Sequence, residues 1–229
     1  MTEAPRYPTH PIRLVLWLGL VAIPVAFAYL GRDAVVPPDF IYRYSSALLI
    51  LVQDGILLGL TFLLAAGRPA RDWLGLRPPT SWKAAAKIGA AVMVVAWAVS
   101  AVVVSLSGIR APEQEGLIPG FWDPSRAAAF AINFVLLTVF VALAEELWFR
   151  GLGYHLLMPF GRPVAIVAVG VAFALSHGLL VGLPVLAAMG MGLAYLRSRV
   201  DSVYPAILVH ALFNAIALLA AVAASSVRI

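Results

Sequence analysis

Long apolar runs, separated by short loops that hold most of the charge, organise this chain from one end to the other. A helix needs roughly 20 apolar residues to cross the hydrocarbon of a bilayer. Seven stretches reach or approach that length, at about 14–31, 44–66, 84–107, 128–150, 163–178, 180–196 and 203–225. The fifth and sixth are short and are joined by a Gly- and Pro-marked link from Gly178 to Pro184, so they also read as one broken hairpin. The fold class is therefore all-α, a polytopic transmembrane helical bundle of about seven helices. The first run follows Arg6 and Arg13, and its Ala26-Phe27-Ala28 resembles a signal-peptide cleavage site. That reading is set aside because the run continues past Ala28 and further spans follow.

Three regions are expected. Residues 1–127 form an N-terminal three-helix membrane region with its loops, 128–220 a membrane core, and 221–229 a C-terminal tail. Two loops are longer than the rest: Gly67 to Ser81, with Pro69, Pro78 and Pro79 beside Trp73 and Leu74, and the acidic Gly108 to Pro124. Placing alternate loops on opposite sides puts 11 of the 16 basic residues with the N-terminus and 5 on the other face. Lys and Arg concentrate on the cytoplasmic side of membrane proteins. The N-terminus is thus expected inside and the C-terminus outside.

Composition agrees with a membrane class. Hydrophobic residues make up 62% of the chain and charged ones 12%, about half the charged share of an ordinary soluble domain. Mean hydropathy is +0.96. The net charge of +5 is accounted for by the loops, and no basic patch is interleaved with aromatics, so no nucleic-acid partner is expected. With no cysteine, disulfides, thiolate metal sites and a Cys nucleophile are excluded.

Ionisable groups within apolar spans are costly and point to function. Here they are Asp54, Glu145, Glu146, His177 and His210, joined by Arg150 and Asn214. Arg150 follows Glu146 by four residues and shares its helix face. Adjacent residues point about 100° apart on a helix, so Arg150 does not serve both glutamates equally. One carboxylate is left to be protonated, bound by another helix, or exposed to a wet cavity. His210 and Asn214 also lie one turn apart. Either histidine alone reads as a packing residue, and the His–Asn pair as glue between helices.

Together they say more. Glu145 precedes the turn at Gly161 by 16 residues and His177 follows it by 16, so both lie roughly 24 Å along their helices from that turn. This requires the fourth helix to continue past Gly151 toward Leu157. From Arg199, Asn214 lies roughly 22 Å along the last helix. Three helices thus offer carboxylates, two imidazoles and an amide at similar depth.

Glu145-Glu146-Leu-Trp-Phe-Arg150, Phe173-Ala-Leu-Ser-His177 and His210-Ala-Leu-Phe-Asn214 occur in order, each on an expected span. In these motifs the sequence resembles the CAAX protease and bacteriocin-processing (CPBP, or Abi) family of intramembrane proteases, over about residues 128–220. The resemblance implies a peptidase acting near or within the bilayer on a membrane-associated peptide or protein, in a bacterial plasma membrane. It implies Glu145 with His177 as the water-activating pair, His210 and Asn214 as oxyanion donors, and Glu146 paired with Arg150. No cofactor is needed on that reading. The alternative is zinc held by Glu145, His177 and His210. A proton- or ion-coupled transporter, for which Asp54 in the second span speaks, and a non-catalytic bacteriocin-immunity protein are the readings from other classes. Asp54 is expected to have a structural role. Oligomeric state and substrate identity are not legible.

Overall fold

The computed structural model describes residues 9–31, 37, 39–107 and 122–226. The long acidic loop falls almost wholly outside them. The described residues form eight helices and no strand. They are α1 (Pro11–Leu30), α2 (Tyr44–Ala65), the single turn α3 (Ala70–Trp73), α4 (Trp82–Ser107), α5 (Pro124–Phe160), α6 (Arg162–Leu175), α7 (Leu183–Val200) and α8 (Tyr204–Ser226). Apart from α3 these coincide with the seven apolar runs. Five, α1, α2, α4, α5 and α8, are long and apolar enough to cross a membrane, and α6 and α7 form the broken hairpin between them. The molecule is a multi-pass membrane helical bundle.

Helix boundaries follow local chemistry. Pro11, Pro163 and Pro184 stand in the first turns of α1, α6 and α7, where a missing N–H costs nothing. Gly161, with φ of 101°, turns the chain from α5 directly into α6. The anticipated continuation of the fourth helix is present: α5 runs through Gly151 to Phe160, and at 37 residues it is the longest helix described.

Pairing between helices uses small residues and a few polar side chains, as is general where lipid and protein are equally apolar. A Cβ on Gly190 would lie 2.7 Å from the Gly170 carbonyl oxygen, so α6 and α7 meet backbone to backbone. Trp17 of α1 is fully buried against Gly153, and its indole N–H donates to the Trp148 carbonyl at 3.3 Å. Arg13 of α1 donates to the Leu64 and Ala66 carbonyls at 2.9 and 3.0 Å, satisfying acceptors at the end of α2. At the opposite end of α2, Asn133 donates to the carbonyls of Ile41 and Arg43 and ties the α1–α2 connection to α5. Between these anchors the inner faces of α1, α2 and α5 are held apart around a cavity.

Candidate functional site

The site starts from an irregularity in α5. Two π-helical turns, Leu136–Phe140 and Leu147–Gly153, flank the α-helical stretch Val141–Glu146. Such wide turns change which faces of a helix point inward, and they occur often at functional sites. Glu145 and Glu146 sit at the end of the stretch between them and face different partners.

Glu146 is fully buried. Its Oε1 accepts from Arg150 Nη1 at 2.7 Å and from His210 Nδ1 at 2.9 Å. Arg150 is equally buried; its Nη2 donates to the Gly190 carbonyl at 3.0 Å, and its guanidinium lies 4.3 Å over the Phe173 ring. A buried charge is tolerated only when paired and hydrogen-bonded. Here one carboxylate, one carbonyl and one aromatic face from three helices supply that environment. The absence of a side chain on Gly190 lets α6 and α7 close, which brings this carbonyl within reach of Arg150.

Glu145 is turned away from Arg150, as the 100° argument requires. Its Oε1 lies 3.9 Å from His177 Nε2 and its Oε2 lies 3.8 Å from His210 Nε2. These separations exceed a direct hydrogen bond and suit a small group between the atoms. His177 places its Nδ1 2.7 Å from the Phe173 carbonyl. A carbonyl only accepts, so Nδ1 carries the proton. His210 likewise donates Nδ1–H to Glu146. Both imidazoles therefore have Nδ1 committed and present Nε2 to the same carboxylate.

His177 stands just beyond the last residue of α6, where residues 176–182 leave regular helix. Non-helical backbone at membrane depth is stable where it is buried in protein or lines a cavity. Gly178 makes this ending possible. Its φ of 68° is open to glycine at little cost, and a Cβ there would meet the Ala28 side chain at 2.8 Å and its carbonyl oxygen at 3.0 Å. The end of α1 thus closes on the residue next to His177.

Asn214 lies on the same cavity wall as His210, and its Nδ2 donates to the Leu137 carbonyl at 3.1 Å. That carbonyl belongs to the first π-helical turn. The cavity, about 430 Å³, is lined by Glu145, His177, His210 and Asn214 together with Asp54 of α2. A neighbouring cavity of about 540 Å³ between α1, α2 and α5 also reaches Glu145 and Asp54.

Every residue singled out in the three motifs is thus brought into one cluster. Two further side chains take positions that the sequence alone does not give. Phe173 was noted only as part of a motif, yet its ring packs on Arg150, on His177 at 4.6 Å and edge-on to His210 at 5.6 Å. Asp54, expected to have a structural role outside the motifs, lines both cavities with Glu145. An acid in mid-span was the available signal for Asp54; nothing in the sequence marks the Phe173 contacts. Among the described residues, no group of three His, Asp or Glu side chains stands close enough to hold a metal ion.

No curated protein and no solved structure matches this chain. A family model does match over residues 127–216, which run from the first turns of α5 into α8 and contain all three motifs. That stretch is similar to the type II CAAX prenyl endopeptidase Rce1-like family.

Proposed function

We propose that this protein is an intramembrane endopeptidase that hydrolyses a peptide bond with water activated by Glu145 and His177. The observation that carries this reading is the convergence of both histidine Nε2 atoms on the two oxygens of Glu145, at 3.9 and 3.8 Å, inside a cavity. The similarity of residues 127–216 to a family of endopeptidases supports it.

A water between Glu145 and His177 loses a proton to the pair as its oxygen adds to the scissile carbonyl carbon. The oxyanion that forms is held by His210 Nε2–H and by the Asn214 amide, whose second N–H is not needed by Leu137. Glu146 on His210 Nδ1 stabilises the imidazolium that this donation requires. Such donors are each worth about 3–4 kcal/mol in the transition state. The captured proton passes to the leaving nitrogen as the C–N bond breaks, and the carboxylate is regenerated. Glu146, anchored by Arg150, acts by orienting His210.

The residue types at this point, one carboxylate and two imidazoles, suit one second reading, in which Glu145, His177 and His210 are zinc ligands. Zinc would supply an activated water at that point. The ligand atoms lie farther apart than a shared ion draws them, and Asn214 beside His210 suits an oxyanion better than zinc.

Peptide cleavage by the purified protein in lipid vesicles, mapped by mass spectrometry, tests both readings. Glu145→Ala, His177→Ala and His210→Ala are each expected to abolish cleavage without loss of folded protein. Near-normal turnover by any of them removes that residue from the mechanism. Chelation is expected to leave the rate unchanged; metal at one ion per chain, whose removal stops the reaction and whose return restores it, selects zinc. Loss of activity in Asp54→Asn but not in Glu145→Gln would favour a transporter instead. We further propose an inside N-terminus, from the distribution of basic residues. A reporter fused after Arg228 should then read the outer side and one near Arg77 the inner side.

A further inference from the structure

Two polar residues at the middle of α2 are left unused by the hydrolytic machinery. Asp54 is only 3% exposed, whereas its neighbour Gln53 is exposed. Neither side chain makes a hydrogen bond to another described residue, so neither ties helices together. Both line both cavities, as does Glu145. The other walls are different and mostly apolar, apart from Ser176 in one cavity and His177, His210 and Asn214 in the other. One chamber is built by Ile23 and Phe27 of α1 with Leu60 of α2, the other by Leu49 of α2 with Phe213 and Leu218 of α8. Two largely apolar chambers, one of them holding the two histidines and Asn214, thus share three polar side chains.

An amide and a carboxyl without partners are expensive at this depth. A peptide chain stretched for hydrolysis carries the complementary need. Its N–H and C=O groups have left their own helix and must find partners within the protein. Gln53 offers two donors and an acceptor. Asp54 accepts when ionised and also donates when protonated.

Resting on the hydrolase reading above, we propose that Gln53 and Asp54 are positioning residues that hold the unwound backbone of the substrate across Glu145. Side chains before the scissile bond occupy one chamber and those after it occupy the other. The substrate is then an apolar segment cut internally, with apolar residues on both sides of the bond.

The test uses the full chain in vesicles and a biotinylated Leu/Val-rich single-span peptide that the unmodified enzyme cleaves at a mapped bond. Photo-crosslinking residues are placed at Ile23 or Leu49, which are exposed at the two chambers, in the Glu145→Gln background, so that labelling reports occupancy without turnover. The two positions are expected to label opposite sides of the bond. Combined Gln53→Leu and Asp54→Leu should raise KM about tenfold or more while kcat changes far less, the mark of lost substrate binding. Asp54→Asn, which keeps hydrogen-bonding capacity, should recover most of that loss. Labels on the same side of the bond, or an unchanged KM in the double variant, overturn the positioning role while leaving the hydrolase reading standing. Failure of the unmodified enzyme to cleave any peptide overturns the hydrolase reading, and this inference with it.

Discussion

In the α5–α8 core, Glu146, Arg150 and His210 are buried and hydrogen-bonded to one another or to the Gly190 carbonyl. On α2, the Gln53 and Asp54 side chains face cavities and make no hydrogen bond to a described residue. Both regions place ionisable groups where charge is costly, and they offset that cost differently. The core pairs its charged groups in advance, which fixes His210 in orientation, while Glu146 Oε2 and Arg150 Nε keep no hydrogen-bond partner among the described residues. The α2 wall leaves its polar atoms for a partner that arrives. Glu145 belongs to the second kind although it is the sequence neighbour of Glu146, because the helix turns it toward the cavity.

The strongest way to break this comparison is at Glu145. Replacing it with Gln keeps the shape and removes the base. Turnover should fall about 10³-fold, in line with general-base contributions, while the melting temperature in detergent stays close to that of the unmodified chain. A large loss of stability would place Glu145 with the paired core.

Glu146→Ala should behave in the opposite way. It leaves Arg150 buried without its carboxylate, and breaking such a pair typically costs about 3–5 kcal/mol. Denaturation should show the loss. Combining it with Arg150→Met should recover part of the stability, since an apolar pair avoids the desolvation cost, but not activity, because His210 loses the acceptor on Nδ1.

Gly178→Ala tests the junction of the two regions. A side chain there requires an unfavourable φ, about 1–2 kcal/mol, and meets the end of α1. The expected result is a drop in kcat from misplacement of His177 with only a modest loss of stability. An unchanged kcat would show that α1 does not hold the imidazole.

The smallest effect is expected outside the spans. Asp39 accepts from Arg43 and Arg126 at 2.6 and 2.9 Å, and Asp123 from Arg126 at 2.6 Å. Burial pushes the Asp39 carboxyl up, but the hydrogen bonds from both arginines outweigh it and hold the group below its ordinary range. Hydrogen bonds from Ser125 and Arg126 do the same for Asp123. A carboxyl whose pKa is lowered on folding stabilises the fold above its unfolded value, and that contribution is lost as pH falls through the folded value. Stability should therefore decline slightly more steeply below about pH 4 in the unmodified chain than in Asp39→Asn, as read by thermal denaturation across pH. Cleavage near neutral pH should be unaffected.

Much of the site was legible without coordinates. The apolar runs marked seven of the helices, five of them long enough to span, because crossing hydrocarbon demands a minimum length of uncharged residues. The spacing of Glu145 and His177 about Gly161 set them level because a helix rises by a constant amount per residue. The four-residue step from Glu146 to Arg150 announced an ion pair, and the 100° offset of Glu145 announced its different fate. Tertiary structure alone decided how each helix is rotated about its axis. In a bilayer, lipid-facing and protein-facing surfaces are both apolar, so hydropathy carries almost no information about rotation. That is why the Gly190 carbonyl as a partner of Arg150, the stacking of Phe173 between Arg150 and the two histidines, and the approach of Asp54 to Glu145 across the α2–α5 interface were not readable. Each joins residues far apart in sequence through a backbone packing that only the assembled bundle defines.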